Sequence, residues 1–403
     1  MAGENWPLVP LGELTENLDG RRVPVKENER KPGPYPYYGA SGIVDRVGGY
    51  LFDGEYLLIG EDGENLRTRQ TPIAFMATGK FWVNNHAHIV RGNHRAHTRF
   101  LCYVLSQTEI SGYLTGSTMP KLTQGNLNRL PVIAPPLAEQ KAIAAVLGAL
   151  DDKIELSRRM NATLEAMARA LFQSWFVDFD PVRAKLDGRK PVGLDVTTSA
   201  LFPDSFQESS LGHIPKGWEV RSLDKTAHYL NGLALQKYPS GDGPTLPVIK
   251  IAQLRKGDSV GADRCNTELP ANYIVQDGDV LFSWSGSLEV ELWCGGPGAL
   301  NQHLFKVTSP EFPKWFYYLW TLCHLDEFRL IAAGKATTMG HIQRGHLTAA
   351  KVLIPPRPLL DAMTRTMSPL IDQFIANRIQ SRTLATLRDT LLPKLLSGEL
   401  SVS

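Results

Sequence analysis

One pattern occurs twice in this chain, roughly 220 residues apart, and that duplication limits the possible folds more than any other feature. Met119 to Pro136 runs MPKLTQGNLNRLPVIAPP, and Met339 to Pro356 runs MGHIQRGHLTAAKVLIPP. Each segment ends in a Pro-Pro pair and leads straight into a long amphipathic stretch. Upstream, WPLVPLGEL from Trp6 corresponds to WEVRSLDK from Trp218, and Asn84-Asn85-His86 corresponds to Asn301-Gln302-His303. A globule followed by a helix, made twice, implies approximate two-fold symmetry and a target or partners that come in two halves.

Residues 1–136 are rich in Gly, Pro, Tyr and short β-branched runs. Tyr50-Leu51-Phe52, Tyr56 to Ile59, Ile73 to Met76 and His88 to Val90 predict short strands between Gly and Asp turns. From Leu137 the apolar period becomes 3.6. Ile143, Leu147, Leu150, Ile154, Leu164, Ala168, Leu171 and Trp175 fall on one seam, which predicts a helix of roughly 38 residues, ~57 Å long. Phe179-Asp180-Pro181 closes it, and the polar, Pro/Gly-bearing residues that follow predict a linker. A second globule then shows strands at Val280 to Phe282 and Phe305 to Val307. The second helix carries Met363, Met367, Leu370, Phe374, Leu384 and Leu391 on its seam, and Pro393 is expected to kink or end it. The predicted organisation is therefore globules at 1–136 and 217–356, helical spacers at 137–178 and 357–398, and a linker at 179–216. The class is α+β: two α/β globules in tandem pseudo-repeat with two long helices.

Seams this long need a partner, either the other helix of the same chain or another subunit. Polar residues interrupt them at matched places, Ser157 and Asn161 in one and Asn377 and Ser381 in the other. Spacing alone leaves parallel and antiparallel pairing open. In an antiparallel pair the four would meet in one layer that fixes the register.

Composition narrows the function classes. An apolar content of 43% with 21% charged residues is ordinary for a soluble globular chain. Cys102, Cys265, Cys294 and Cys323 have no CxxC spacing, which fits a reduced, cytoplasmic protein. The longest apolar run, near Ile143 to Leu150, falls well short of the ~20 residues of a membrane span. A net charge of +2 neither demands nor excludes nucleic acid. No GxxxxGK[ST] loop, GxGxxG turn or Asn/Asp-Pro-Pro-aromatic box is present. Glu139-Gln140-Lys141 sits at a helix start, where an acidic residue belongs electrostatically. His86, His88, His94 and His97 match no metal-ligand spacing. A non-catalytic chain with no cofactor or metal of its own is expected.

Several polar clusters suit DNA. Arg21 and Arg22 lead toward Tyr37, Tyr38 and Ser41, a basic run followed by aromatics that can neutralise phosphate and stack. Arg67 and Arg69 follow a Gly/Asp turn and have the donors that read guanine edges. Asn84, Asn85 and His86 match Asn301, Gln302 and His303, and Trp284, Ser285 and Ser287 occupy a comparable place in the second half. The loops ahead of the helices hold Ser117, Thr118 and Lys121, then Lys335, Thr337, Thr338 and His341, with hydroxyls and cations that suit phosphate.

At Tyr38-Gly39-Ala40-Ser41-Gly42-Ile43, Gly116-Ser117-Thr118-Met119-Pro120-Lys121-Leu122 and Leu130-Pro131-Val132-Ile133-Ala134-Pro135-Pro136-Leu137-Ala138-Glu139-Gln140 the chain resembles the specificity (S) subunits of type I restriction–modification systems. Leu171-Phe172-Gln173-Ser174-Trp175-Phe176, Ile214-Pro215-Lys216-Gly217-Trp218 and Leu392-Pro393-Lys394-Leu395-Leu396-Ser397-Gly398 extend the likeness over essentially the whole chain. The second half departs at Gly340-His341 and has no PPLxEQ after Pro356. The resemblance implies two target recognition domains joined by two antiparallel helices in an intramolecular coiled coil. Each domain would read one half of a bipartite, gapped site in double-stranded DNA. It further implies binding to two modification subunits, which carry S-adenosylmethionine and methylate a flipped adenine at N6, and to restriction subunits that use ATP and Mg. The competing expectation is an interaction scaffold, two globules on a coiled-coil strut that bind proteins rather than DNA.

Overall fold

The structure, a computed structural model, describes residues 6–334 and 340–402. Two compact units make up the chain: Met1–Lys153 together with Leu384–Ser403, and Ile154–Thr383.

The first unit is built on a six-stranded sheet of β1 (Thr15–Asn17), β2 (Pro32–Gly39), β3 (Gly42–Val47), β4 (Phe52–Gly60), β5 (Ala74–Val83) and β6 (Ala87–Gly92). Its order is β1-β6-β4-β5-β2-β3, antiparallel except for β2 beside β5. The period-2 pleat sends alternate residues of β4 to opposite faces. Leu57 and Ile59 join Phe100, Leu101 and Val104 of the helix Thr98–Gln107. Tyr56 and Leu58 join Phe52, Phe81, Val83 and Ile89 on the other side. Burial on both faces is worth about 1.5–3 kcal/mol for each large apolar side chain. Tyr50 to Phe52 and Tyr56 to Ile59, expected as separate strands, differ from expectation: one strand, Phe52–Gly60, takes in Phe52 and all of Tyr56 to Ile59, with Tyr50 and Leu51 ahead of it. Gly54 pairs with Gly79 across the ladder at φ of 137° and 72°, so the strand passes the predicted break on two residues that tolerate positive φ.

The second unit's main sheets are built from β7 (His228–Asn231), β8 (Thr245–Ile249), β9 (Arg264–Asn266), β10 (Ile274–Val275), β11 (Val280–Ser283), β12 (Val290–Leu292), β13 (Gly298–Leu300) and β14 (Leu304–Thr308). They form two four-stranded sheets, β7-β14-β11-β12 and β9-β8-β13-β10. The helix Lys314–Cys323 is apolar almost all round and lies in the core with Trp315, Phe316 and Trp320. The 179–216 stretch, without periodicity in the sequence, contains short helices at Asp180–Leu186 and Val196–Leu201 and a hairpin of Phe206–Ser209 with Gly212–Pro215. Its Val182, Phe202 and Ile214 are buried in the second unit's core.

The long helices α1 (Leu137–Phe176) and α2 (Arg357–Leu396) each have 40 residues, ~60 Å at the α-helical rise. In the first unit, Ile143 and Leu147 from the start of α1 share a core with Leu392, Leu395 and Leu396 from the end of α2, and Arg388 Nη1 meets Asp151 at 2.8 Å. In the second, Ala168, Phe172 and Trp175 from the end of α1 share a core with Leu359, Met363, Met367 and Ile371 from the start of α2. Both sets of contacts are antiparallel. Asn377 Nδ2 donates to Asn161 Oδ1 at 2.9 Å, and Asn161 Nδ2 donates to the Phe374 carbonyl at 3.2 Å. Ser157 is buried and Ser381 half-buried in the same stretch.

Of the two expected effects, an end at Pro393 is not seen; α2 continues to Leu396. Burial of Leu392, Leu395 and Leu396 and the Ser397 N–H bond to the Pro393 carbonyl hold the turn beyond the proline. Gln140 secures the other helix. Its Oε1 accepts from the His97 N–H at 2.9 Å, and its Nε2 donates to the Arg95 and Pro135 carbonyls. Among the described residues no helix is long and apolar enough to cross a membrane.

Candidate functional site

In the first unit three connections converge at one end of the sheet: the loop after β4, the β5–β6 turn and the 115–122 loop. Backbone bonds tie them together. Glu61 N–H donates to the His86 carbonyl, Leu122 N–H to Glu61 and Gly63 N–H to Pro120, at 2.8, 2.8 and 3.1 Å. Asn84, itself buried, accepts the His86 N–H on its Oδ1 at 2.8 Å.

Beneath these loops lies a closed ionic cluster. His88 is 1% exposed. Its Nε2 faces the Leu122 carbonyl at 2.7 Å, and since a carbonyl only accepts, that nitrogen carries a hydrogen. Its Nδ1 meets Asp19, whose other oxygen takes the Ile89 N–H. Arg22 reaches Glu61 and the Ala87 carbonyl, each at 2.7 Å, and Lys121 reaches Glu61 at 3.2 Å. Burial by itself pushes both carboxyls up. For Asp19 the His88 ring, the Ile89 N–H and Arg22 outweigh it, and for Glu61 the Arg22 guanidinium, His88 and Lys121 do, so both lie below the usual carboxylate range. Asp19, Glu61 and His88 stand close enough together to hold a metal ion. Their lone pairs are already taken by cations and N–H groups, so the cluster works as a clamp that fixes the 115–122 loop on the sheet.

The second unit repeats the frame with different contents. Ile342 N–H donates to the Trp284 carbonyl at 2.9 Å and Gly286 N–H to Gly340 at 2.8 Å, matching the two loop bonds of the first unit. Asn301, again buried, accepts the His303 N–H at 3.2 Å. A Cβ at Gly232 would lie 2.2 Å from the Asn301 carbonyl oxygen, so only glycine lets the end of β7 approach this turn. Trp284 stands where Glu61 does, and Phe305 follows its histidine by two residues as His88 follows His86. The Trp284 and Phe305 rings lie 6.0 Å apart, and Trp284 Nε1 donates to Asn231 Oδ1 at 2.9 Å. An aromatic filling replaces the ionic one.

The sequence candidates fall into two sets. Ser41, Asn85, His86, Ser117, Thr118, Lys121 and Ser287 are exposed, and Tyr38, Gln302, His303, Trp284 and His341 are half-buried at the surface. Arg21 is exposed, its guanidinium 5.0 Å over the Phe52 ring. Arg67 is exposed and donates to the Gly116 carbonyl at 3.2 Å. The remainder sit inside as supports. Tyr37 is 1% exposed with its hydroxyl on Val25, Arg22 belongs to the clamp, and Ser285 is buried against His303. Arg69 donates to the Ser106 and Thr108 carbonyls at the end of the helix Thr98–Gln107. Lys335, Thr337 and Thr338 lie outside the described residues. The sequence did not flag Asp19, Glu61, Asp62 or Asn231, because lone polar residues at separate strand ends carry no spacing signal.

Residues 3–166 match the family described as the type I restriction modification DNA specificity domain. The chain is 25% identical over 425 residues to the type I restriction enzyme MjaIX specificity subunit of Methanocaldococcus jannaschii, covering 99% of this chain and 94% of that protein. It is 23% identical over 406 residues to the type I restriction enzyme HindI specificity subunit of Haemophilus influenzae, covering 86% and 84%. In fold it is similar to the crystal structure of a type I restriction-modification system S subunit from M. genitalium, with a TM-score of 0.63, 14% identity and coverage of 97% and 96%.

Proposed function

Because the chain belongs to the specificity-subunit family of type I restriction–modification systems, we propose that it supplies the DNA specificity of such a complex and catalyses nothing by itself. Each unit reads one half of a bipartite site through its exposed loops, and the paired helices set the gap between the halves. The chain seats two adenine-N6 methyltransferase subunits, with restriction subunits joining them in the cytoplasm. S-adenosylmethionine, ATP and Mg stay with those partners.

The observation that carries this reading is the repeated frame: the same loop bonds and the same buried asparagine support a polar turn at the surface of each unit, exposed in the first and half-buried in the second, while the residues filling the frame differ. Two readers of common construction and unlike content suit a target with two unlike halves.

The test is a genome-wide map of N6-methyladenine in the source cell with and without the gene. Loss of methylation at one gapped, two-part motif is the expected result. An unchanged map in a cell that expresses the chain and methylates its DNA refutes the proposal and favours a protein-binding scaffold. Inserting about four residues, one helical turn, after Ser157 should lengthen the gap and leave both halves unchanged. A fixed gap with binding retained would remove the spacer role alone.

A further inference from the structure

Both units build one turn in the same way. Asn84 and Asn301 are 8% and 4% exposed, and each accepts on Oδ1 the N–H of the histidine two residues on. Such an Asx turn, anchored by a buried amide, fixes the two side chains after it against the sheet. In each unit the histidine Nδ1 is then held from a neighbouring connection. Asp62 holds His86 with both carboxylate oxygens at 2.9 Å, and Ser285 Oγ holds His303 at 3.0 Å. Packing does not require this for His86, whose side chain is 54% exposed.

The partners decide what each turn offers. A carboxylate only accepts, so His86 Nδ1 carries the hydrogen, and in the neutral ring Nε2 presents a lone pair. Among the described residues nothing bonds that nitrogen. An acceptor beside the Asp62 carboxylate repels phosphate and suits a donor. In the second unit His303 Nε2 lies 3.4 Å from Gln302 Nε2, an N–H donor that occupies its lone pair. The group left open there is the rest of the Gln302 amide, one acceptor and one further N–H.

We infer that these two Asn-x-His turns are the base-reading elements: His86 Nε2 accepts from the exocyclic amine of an adenine or cytosine in the major groove, and the Gln302 amide brackets an adenine edge. This rests on the DNA-specificity function proposed above. Asn84, Asp62, Asn301 and Ser285 are positioning residues, while His86 and Gln302 touch the base.

The experiment uses the full chain co-purified with its modification partners and duplexes carrying the motif from the methylation map. Each adenine or cytosine of the motif is replaced in turn by its analogue without the amine, purine or pyrimidin-2-one. One such replacement in one half-site should weaken binding by wild type about tenfold and binding by His86→Phe not at all; Gln302→Leu should show the same coupling at one adenine of the other half-site. If no replacement distinguishes wild type from His86→Phe, or if the variant loses affinity equally for every duplex, the inference falls while the DNA-specificity function stands. If His86→Phe binds no duplex, Asp62→Ala, which keeps the ring but frees it, must lose discrimination at a single amine; loss nowhere overturns the inference. If wild type selects no motif, the proposed function fails and takes this inference with it.

Discussion

Replacing His88 with phenylalanine tests whether the ionic clamp in the first unit is structural. The second unit uses Phe305 at the matched position, so size and shape are acceptable to the shared frame. If packing alone mattered, the swap would cost under about 1.5 kcal/mol, as volume-conserving core changes do. The contacts imply more. The Leu122 carbonyl would lose the only donor on it from the ring, a desolvation cost of about 1–3 kcal/mol. Asp19 would keep the Ile89 N–H at 2.8 Å and Arg22 at 3.6 Å but lose His88, and breaking a buried charged pair costs about 3–5 kcal/mol. The two losses share one ring and do not add, so a net cost of about 3–5 kcal/mol is expected. Native-state hydrogen exchange against urea measures it locally. Amides of Ala87–Gly92 should lose that much opening free energy, while those of Leu304–Thr308 serve as an internal control. A loss below about 1 kcal/mol at β6, or an equal loss at β14, would refute the clamp.

Acid should act on the same cluster. Asp19 and Glu61 are held below the usual carboxylate range, so the stability they contribute is complete above the unfolded values, about 4, and is lost as pH falls through the lower folded values. Amide protection in β4 and β6 should thus decline below about pH 4, and Asp19→Asn with Glu61→Gln should flatten that decline. In the helix pair, Asn377→Leu strands Asn161 and should cost about 1–3 kcal/mol, whereas Asn161→Leu with Asn377→Leu should recover much of it; additive costs in urea unfolding would refute the coupling. Gln140→Leu removes three hydrogen bonds at the start of α1 and should lower the first unit's stability by about 1–3 kcal/mol, with exchange rising first at His97.

The helices were legible because the 3.6 period persists over forty residues, and the seam from Ile143 to Trp175 lies buried or half-buried throughout. Pro393 does not stop the helix because a local rule meets a tertiary one: Leu395 and Leu396 are buried beyond it and carry the helix on. The β4 strand was split because its two-sided burial hides the alternation and Gly54 mimics a turn. At the site, Asn84 and Asn301 could be matched because both halves keep the asparagine. Glu61 and Trp284 could not, since one ionic and one aromatic residue share a backbone role without sharing chemistry.

The split membership of α2 has a consequence for synthesis. Leu392, Leu395 and Leu396 complete the core that Ile143 and Leu147 begin, yet the ribosome makes them only after the whole of Ile154–Thr383. At about 5–20 residues per second, the first unit waits roughly 10–50 s for its last apolar neighbours. During that interval Ile143 and Leu147 lack those three neighbours on a nascent chain, the state most open to chaperones and to pairing with another copy. The unit made first is the one finished last.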